Sequence, residues 1–313
     1  METKGDHGLS ISRLQGSRRR RRKESIVHGL LGSAAGVSMV ISLAIVVALL
    51  GQAIVFLSNV ELGALWSGRW SPRSGEFDIV TLFIGTLEVS LIAMLIATPL
   101  GLGAAMYLSE YANPRIRRRL KPILETLAGI PSVVLGYFAL VVINPIIVQK
   151  LFGVTSTFTI MAAGIGVGIL TIPLVASVAE DAMYAVPGAL REAAYGIGAR
   201  RRTVTTRVVF PAAVSGIVAG LILGFSRALG ETLVVAIAAG ATGAASRHWN
   251  PLEPGQTMTG AIASLAIGSD QVKSVSGLNP FDSLYFVGLL LFAMTLGLNL
   301  LSERFVRRVR QDY

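Results

Sequence analysis

GLLGSAAGVSMVISLAIVVALLGQAIVFLSNV, residues 29–60, contains no Asp, Glu, Lys or Arg. A helix needs about 20 largely apolar residues to cross the hydrocarbon core of a bilayer, so this run is long enough to span one. Five further runs have the same character. Residues 151–179 and 283–302 are uncharged, 79–109 is interrupted only by Glu88, 122–149 only by Glu125, and 211–246 only by Arg227 and Glu231. The expectation is an all-α, polytopic membrane protein with six transmembrane helices. The composition agrees: 52% of the 313 residues are hydrophobic, 15% are charged, and the mean hydropathy is +0.64.

The net charge of +10 would suggest a nucleic-acid partner if the basic residues formed one patch on a soluble fold. They do not. Of 28 Lys and Arg, 22 lie in the N-terminal tail, in NPRIRRRLK (113–121), in the connection between the fourth and fifth runs, and in ERFVRRVR (303–310). Five lie in the other three connections, at Arg69, Arg73, Lys150, Arg247 and Lys273. Short cytoplasmic loops retain Lys and Arg, so this alternation places both termini in the cytoplasm and needs no nucleic acid. RRRRRK (18–23) then holds the tail inside and touches anionic lipid. The first apolar run exceeds a signal-peptide core and is read as a retained helix.

These readings divide the chain into a basic tail (1–28), a first helix (29–60), a core of five spans (79–302) with a cytoplasmic loop at 187–211, and a C-terminal tail (303–313). No cysteine is present, which excludes disulfides and thiolate chemistry, and His7, His28 and His248 are too scattered to suggest a metal site. Neither a cofactor nor a catalytic residue is expected. GIGVGIL (164–170) reads as a close helix-packing surface, not a phosphate loop.

Arg227 and Glu231 are four residues apart inside an apolar run, so on one helix they would share a face within salt-bridge reach. A lone charge at mid-membrane costs at least about 2.5 kcal/mol, so both should face the bundle interior or water. Two readings follow. The pair could be a structural ion lock, or Arg227 could offer planar donors to a crossing oxyanion while Glu231 orients it. A carboxylate could also accept a hydrogen bond from the proton that phosphate keeps at neutral pH and sulfate lacks. Glu88 sits near mid-depth of its run, where it could pair with Arg227 or with a neighbouring subunit. Glu125 reads as interfacial.

PGALREAAYGIGARRRTVTTRVVFPAA (187–213) begins with a proline suited to a helix start and continues with small and apolar residues at helical spacing. By itself this describes an amphipathic helix that either lies on headgroups or docks a partner. Glu192, Ala193, Ala194, Gly198 and Pro211 together resemble the EAA loop of ABC importer permeases. IGTLEVSLIAMLIATPLGLGAAMYLSEYA (84–112), LAGIPSVVLGYFAL (127–140), SRALGETLVVAIAAG (226–240) and QTMTGAIA (256–263) resemble the phosphate-permease family of PstC and PstA subunits, nearer the PstC branch. Val208 and Phe210 depart mildly from the family pattern, apolar for apolar.

The resemblance implies a type I importer permease fold in a bacterial inner membrane, with phosphate as substrate. It also implies a PstA-like second permease, two PstB-like ATPases and a PstS-like binding protein as partners. Glu192 to Gly198 would couple to an ATPase, and Arg227 and Glu231 would serve translocation. No G-x-x-x-x-G-K-[ST] sequence occurs, so hydrolysis would belong to a partner. A sulfate or molybdate permease and a secondary anion transporter stand as alternatives. TMTGAIA (257–263) is expected to form a partial helix at the outer face.

Overall fold

The computed structural model describes residues 18–240, 244–267 and 279–309. It divides into two units, residues up to Gly51 and residues from Gln52 onward. Helix α1 (Arg18–Asn59) supplies the first unit and enters the second. It begins well before residue 29, inside the basic stretch. Residues 1–17 of the expected tail lie outside the described residues.

In the second unit, two short strands, β1 (Arg69–Ser71) and β2 (Glu76–Phe77), precede helix α2 (Ile79–Met106), which a wider turn, Tyr107–Tyr111, prolongs. Helix α3 (Pro114–Leu127) follows, then α4, which starts as Ser132–Phe138 and continues in wide turns through Ala139–Gln149 to Phe152. Helix α5 is Ile160–Tyr184, α6 is Gly188–Gly196, α7 is Arg201–Ala212 and α8 is Val214–Leu229. Helix α9 opens at Leu233–Val235 and winds on as Ala236–Gly240; β3 (Ala245–Ser246), α10 (Met258–Ile267) and α11 (Pro280–Val309) complete the order.

Five of these segments are long and apolar enough to span: Lys23–Asn59, Ile79–Tyr111, Ser132–Phe152, Ile160–Tyr184 and Pro280–Arg304. The remaining expected span, the fifth along the chain, is not one straight helix. Arg201–Ala212 and Val214–Leu229 meet at 71°, after a wide turn over Thr205–Val209 that leads into Pro211. A proline removes an amide donor and crowds the carbonyl four residues back, which widens and bends a helix at that point. The run 122–149 is divided as well. Ala128, Gly129, Ile130 and Pro131 separate α3 from α4, so Pro122 and Glu125 belong to a surface helix and the span begins at Ser132. At the far end α11 continues to Val309, past the expected boundary at 303.

Small residues let the central spans approach closely. Cβ atoms placed on Gly164 and Gly168 of α5 would lie 2.7 Å from Ile92 Cβ and 3.0 Å from the Ala93 carbonyl of α2. On α8, Cβ atoms at Gly216, Gly220 and Gly224 would meet α5 at Ala182, Val178 and Val175, 2.5, 3.0 and 2.8 Å away. The 164–170 stretch is therefore the packing surface expected of it, and Gly216, Gly220 and Gly224 repeat the pattern one helix further on.

At the opposite end of the bundle from α6, β2, β1 and β3 form an antiparallel sheet in that order. Its residue Phe77 packs edge-to-face with both Trp70 and Phe56 in one apolar cluster. Asp78, fully buried, caps α2 by accepting from Thr81 N (2.8 Å) and Oγ1 (2.5 Å), and it pairs with Arg247 beside β3. Burial alone would raise its pKa, but the hydrogen bonds from Arg247 and Thr81 outweigh that and hold the carboxyl below its ordinary value.

Candidate functional site

The α8 helix stops at Leu229, with Gly230 as its C-cap, and the chain passes Glu231 and Thr232 before α9 begins. Arg227 and Glu231 are thus not on one helical face. Among the described residues no ion pair or hydrogen bond joins their side chains, which corrects the expected salt bridge. Its premise, an unbroken helix through Gly230, fails because the chain leaves the helical path there. Arg227 is exposed in the last turn of α8, while Glu231 is half-buried. A cation in a last helical turn is favoured by the helix dipole, which gives Arg227 some local support without a carboxylate.

The break is held from the other side by the TMTG segment. Thr259 Oγ1 donates to the Glu231 carbonyl at 2.8 Å, Thr257 and Thr259 hydroxyls lie 3.0 Å apart, and Met258 N donates to Thr86 Oγ1 of α2 at 3.0 Å. A Cβ on Gly85 would strike the Gln256 carbonyl at 2.4 Å, so only glycine lets this segment lie against α2. TMTGAIA forms the expected partial helix, α10, and its contacts reach the interruption in the fifth span. Next to Arg227, Ser226 donates to Asn299 of α11 at 3.0 Å, which fixes how α8 is rolled.

Glu88 meets neither Arg227 nor any other described hydrogen-bonding group through its Oε2. Only 7% exposed, it lines a small cavity of about 10 Å³ with Thr81, Gly85, Ser246, His248 and Gln256.

The EAA residues occupy the other end of α5. Helix α6 leaves Glu192 and Ala193 exposed and buries Ala194 among Val204, Val209 and Ala213. Gly198, with φ of +83°, turns the chain so that Ala199 N donates to the Ala194 carbonyl at 3.1 Å. L-residues adopt that conformation at a cost of about 1–2 kcal/mol, which accounts for glycine here. Pro211 lies at the bend into α8. Tyr195 and Ile197 are exposed, Ile197 by 87%, so α6 presents an uncovered apolar edge beside Glu192.

What holds α6 was not foreseen in the sequence. Arg191 donates to the Val186 and Met183 carbonyls at 2.6 and 2.8 Å, closing the end of α5, and to buried Glu110 at 2.9 Å. Arg201 bonds the Glu110 carbonyl and lies over the Tyr111 ring. Nearby, buried Glu180 of α5 takes Arg117 at 2.5 Å and Lys121 at 2.7 Å, both from α3. Burial would lower the Lys121 pKa, but Asp181 and Glu180 more than offset it and hold it above the ordinary value. The one hint in the sequence was Glu110, a lone carboxylate at the close of an apolar run; its partner lies 81 residues away.

Residues 97–312 match the family described as binding-protein-dependent transport system inner membrane component. The phosphate transport system permease protein PstC of Mesorhizobium japonicum is 32% identical, over 87% of this chain and 86% of that protein. PstC of Pasteurella multocida is 30% identical over 81% and 82%. The probable ABC transporter permease protein YqgH of Bacillus subtilis is 29% identical over 92% and 93%. Among solved structures, a bacterial ABC transporter that imports the acidic polysaccharide alginate superposes with a TM-score of 0.62 at 16% identity, covering 93% of this chain and all of that one. The methionine ABC transporter MetNI gives 0.55 at 16% identity, covering 80% and 98%. The chain belongs to the family of binding-protein-dependent inner-membrane permeases and has the type I ABC importer permease fold.

Proposed function

We propose that this chain is the PstC-type subunit of an ATP-driven importer of inorganic phosphate, supplying half of the translocation path. The observation that carries the proposal is Arg227: a guanidinium at the interruption of the fifth span, exposed, with no carboxylate partner among the described residues. A permanently charged, planar donor set without an internal counter-ion is suited to an oxyanion. The names of its relatives suggest phosphate as that anion. Glu231, half-buried in the same break, stands ready to accept a hydrogen bond from the P–O–H that distinguishes hydrogen phosphate from sulfate.

In this reading the α6 end of the bundle is cytoplasmic, both termini are inside, and the sheet end faces the binding protein. A PstA-like chain completes the passage and covers the exposed side of α8. Two PstB-like ATPases supply hydrolysis, one receiving Glu192, Ala193, Tyr195 and Ile197, while Ala194, Gly198 and Pro211 shape the loop. The chain itself catalyses no reaction. Because Arg191 and Arg201 tie the loop to the ends of α5 and α2, movement of a docked ATPase is transmitted to two spans.

Co-purified complex in proteoliposomes should take up labelled phosphate only with ATP inside the ATPase compartment. Excess sulfate or molybdate should not compete. Competition by either would replace phosphate with that oxyanion, and uptake driven by an ion gradient without ATP would place the chain among secondary transporters.

A further inference from the structure

Helix α3 is apart from the two sites above. It has fourteen residues, so it is about 21 Å long. None of its side chains is buried within the chain. Ile116, Leu120, Ile123 and Leu127 recur at i, i+4, i+7 and i+11, and at 100° per residue they fall within about 60° of arc. All four are exposed, Ile123 by 54%. Arg117 and Lys121 flank this stripe on one side and Arg115 and Arg119 on the other, with Arg118 on the far face.

Two observations fix where the stripe points. The first is topology: α3 joins the end of one span, at Tyr111, to the start of the next, at Ser132, and so connects two spans at one face of the membrane. It can neither enter the hydrocarbon core lengthwise nor depart far from it. The second is roll. Arg117 bonds Glu180 through Nε at 2.7 Å and Nη2 at 2.5 Å and stacks on Tyr184 at 3.8 Å, while Lys121 bonds Glu180 at 2.7 Å. These contacts direct one flank at α5 and leave the stripe turned about 90° away from it.

We propose that α3 lies in the interface of the membrane, its Ile116-Leu120-Ile123-Leu127 stripe among the acyl chains, with Arg115 and Arg119 binding the headgroups of anionic phospholipids. Charge complementarity selects this occupant. An apolar stripe with guanidinium groups on its free edge matches the boundary between acyl chains and anionic headgroups. Arg115, Arg118 and Arg119 make no ion pair with another described residue, so they are available to phosphates. Because Arg117 and Lys121 bind α5 near the docking helix α6, lipid held by α3 also steadies the end of the bundle that meets the ATPase.

The chain has no cysteine, which makes a single-site label specific within it. Ile123→Cys and Arg118→Cys, each carrying an environment-sensitive fluorophore, are placed in the intact complex in bilayers containing brominated phosphatidylcholine or brominated phosphatidylglycerol. Quenching at position 123 should exceed that at 118 by about threefold, as expected for a label in the apolar layer against one in water. It should be stronger with phosphatidylglycerol, and Arg115→Gln/Arg119→Gln should lower that headgroup preference by about fivefold per charge removed. Equal quenching by both lipids would remove the headgroup site. Absence of quenching at 123, with cross-linking to the second permease chain instead, would assign the stripe to a protein interface and overturn the proposal.

Discussion

The α6 end of the bundle and the interruption after Leu229 handle charge in opposite ways. At the α6 end Glu110, Arg191, Glu180, Arg117 and Lys121 are tied into ion pairs that join α6 to the end of α2 and α3 to α5. At the interruption Arg227 has no such partner among the described residues, and the chain is held there through a backbone carbonyl, from Thr259 to Glu231. A paired charge transmits position, because removing either partner leaves the other buried and unsatisfied. An unpaired one is free to bind something that comes and goes. The same residue types therefore serve connection in one place and, in our reading, passage in the other.

The sharpest way to break this contrast is to neutralise each region separately. Arg227→Gln should reduce phosphate uptake by more than about 100-fold, as loss of a charge-assisted site worth about 3 kcal/mol would. The complex should still assemble, as judged by co-purification. If uptake persists, the unpaired charge is not part of the path. Arg191→Ala or Glu110→Ala should instead weaken ATPase attachment and lower the thermal stability of the complex, by about 3 kcal/mol for a broken buried pair. Arg191→Lys should restore only part of this, since it cannot reach two carbonyls and a carboxylate together.

Packing gives a control that touches neither charge set. Gly220→Leu would drive a side chain into Val178 and should destabilise the α5–α8 contact by about 1–3 kcal/mol, seen as earlier unfolding in detergent. At the sheet end the effect is smaller and depends on pH. The Asp78 pKa is lowered by folding, so its contribution is full above the unfolded carboxyl value of about 3.9 and is lost as pH falls through the lower folded value. Acid titration of the melting temperature should show that loss, and Asp78→Asn should flatten it.

Much of the architecture could be read along the chain, because a span is a local property: length, apolarity and the absence of charge suffice. The packing role of Gly164 and Gly168 and the helix over the EAA residues were likewise local. What escaped was set by single prolines or by distance in sequence. Pro131 divides an apolar run that looked continuous, and Pro211 bends another. Neither the Glu110–Arg191 pair nor the Arg117–Glu180 pair leaves a periodic trace, since their partners are 81 and 63 residues apart. The candidate passage was half legible. Arg227 and Glu231 stood out as charges in an apolar stretch, but four-residue spacing implied a helix that Gly230 ends.

The most direct measurement concerns water at Arg227. In Arg227→Cys complex, a membrane-impermeant charged thiol reagent should modify position 227 in at least one state of the ATP cycle, and phosphate should slow the reaction. Modification only by a lipid-soluble maleimide, with no effect of phosphate in any state, would contradict an aqueous passage at this residue.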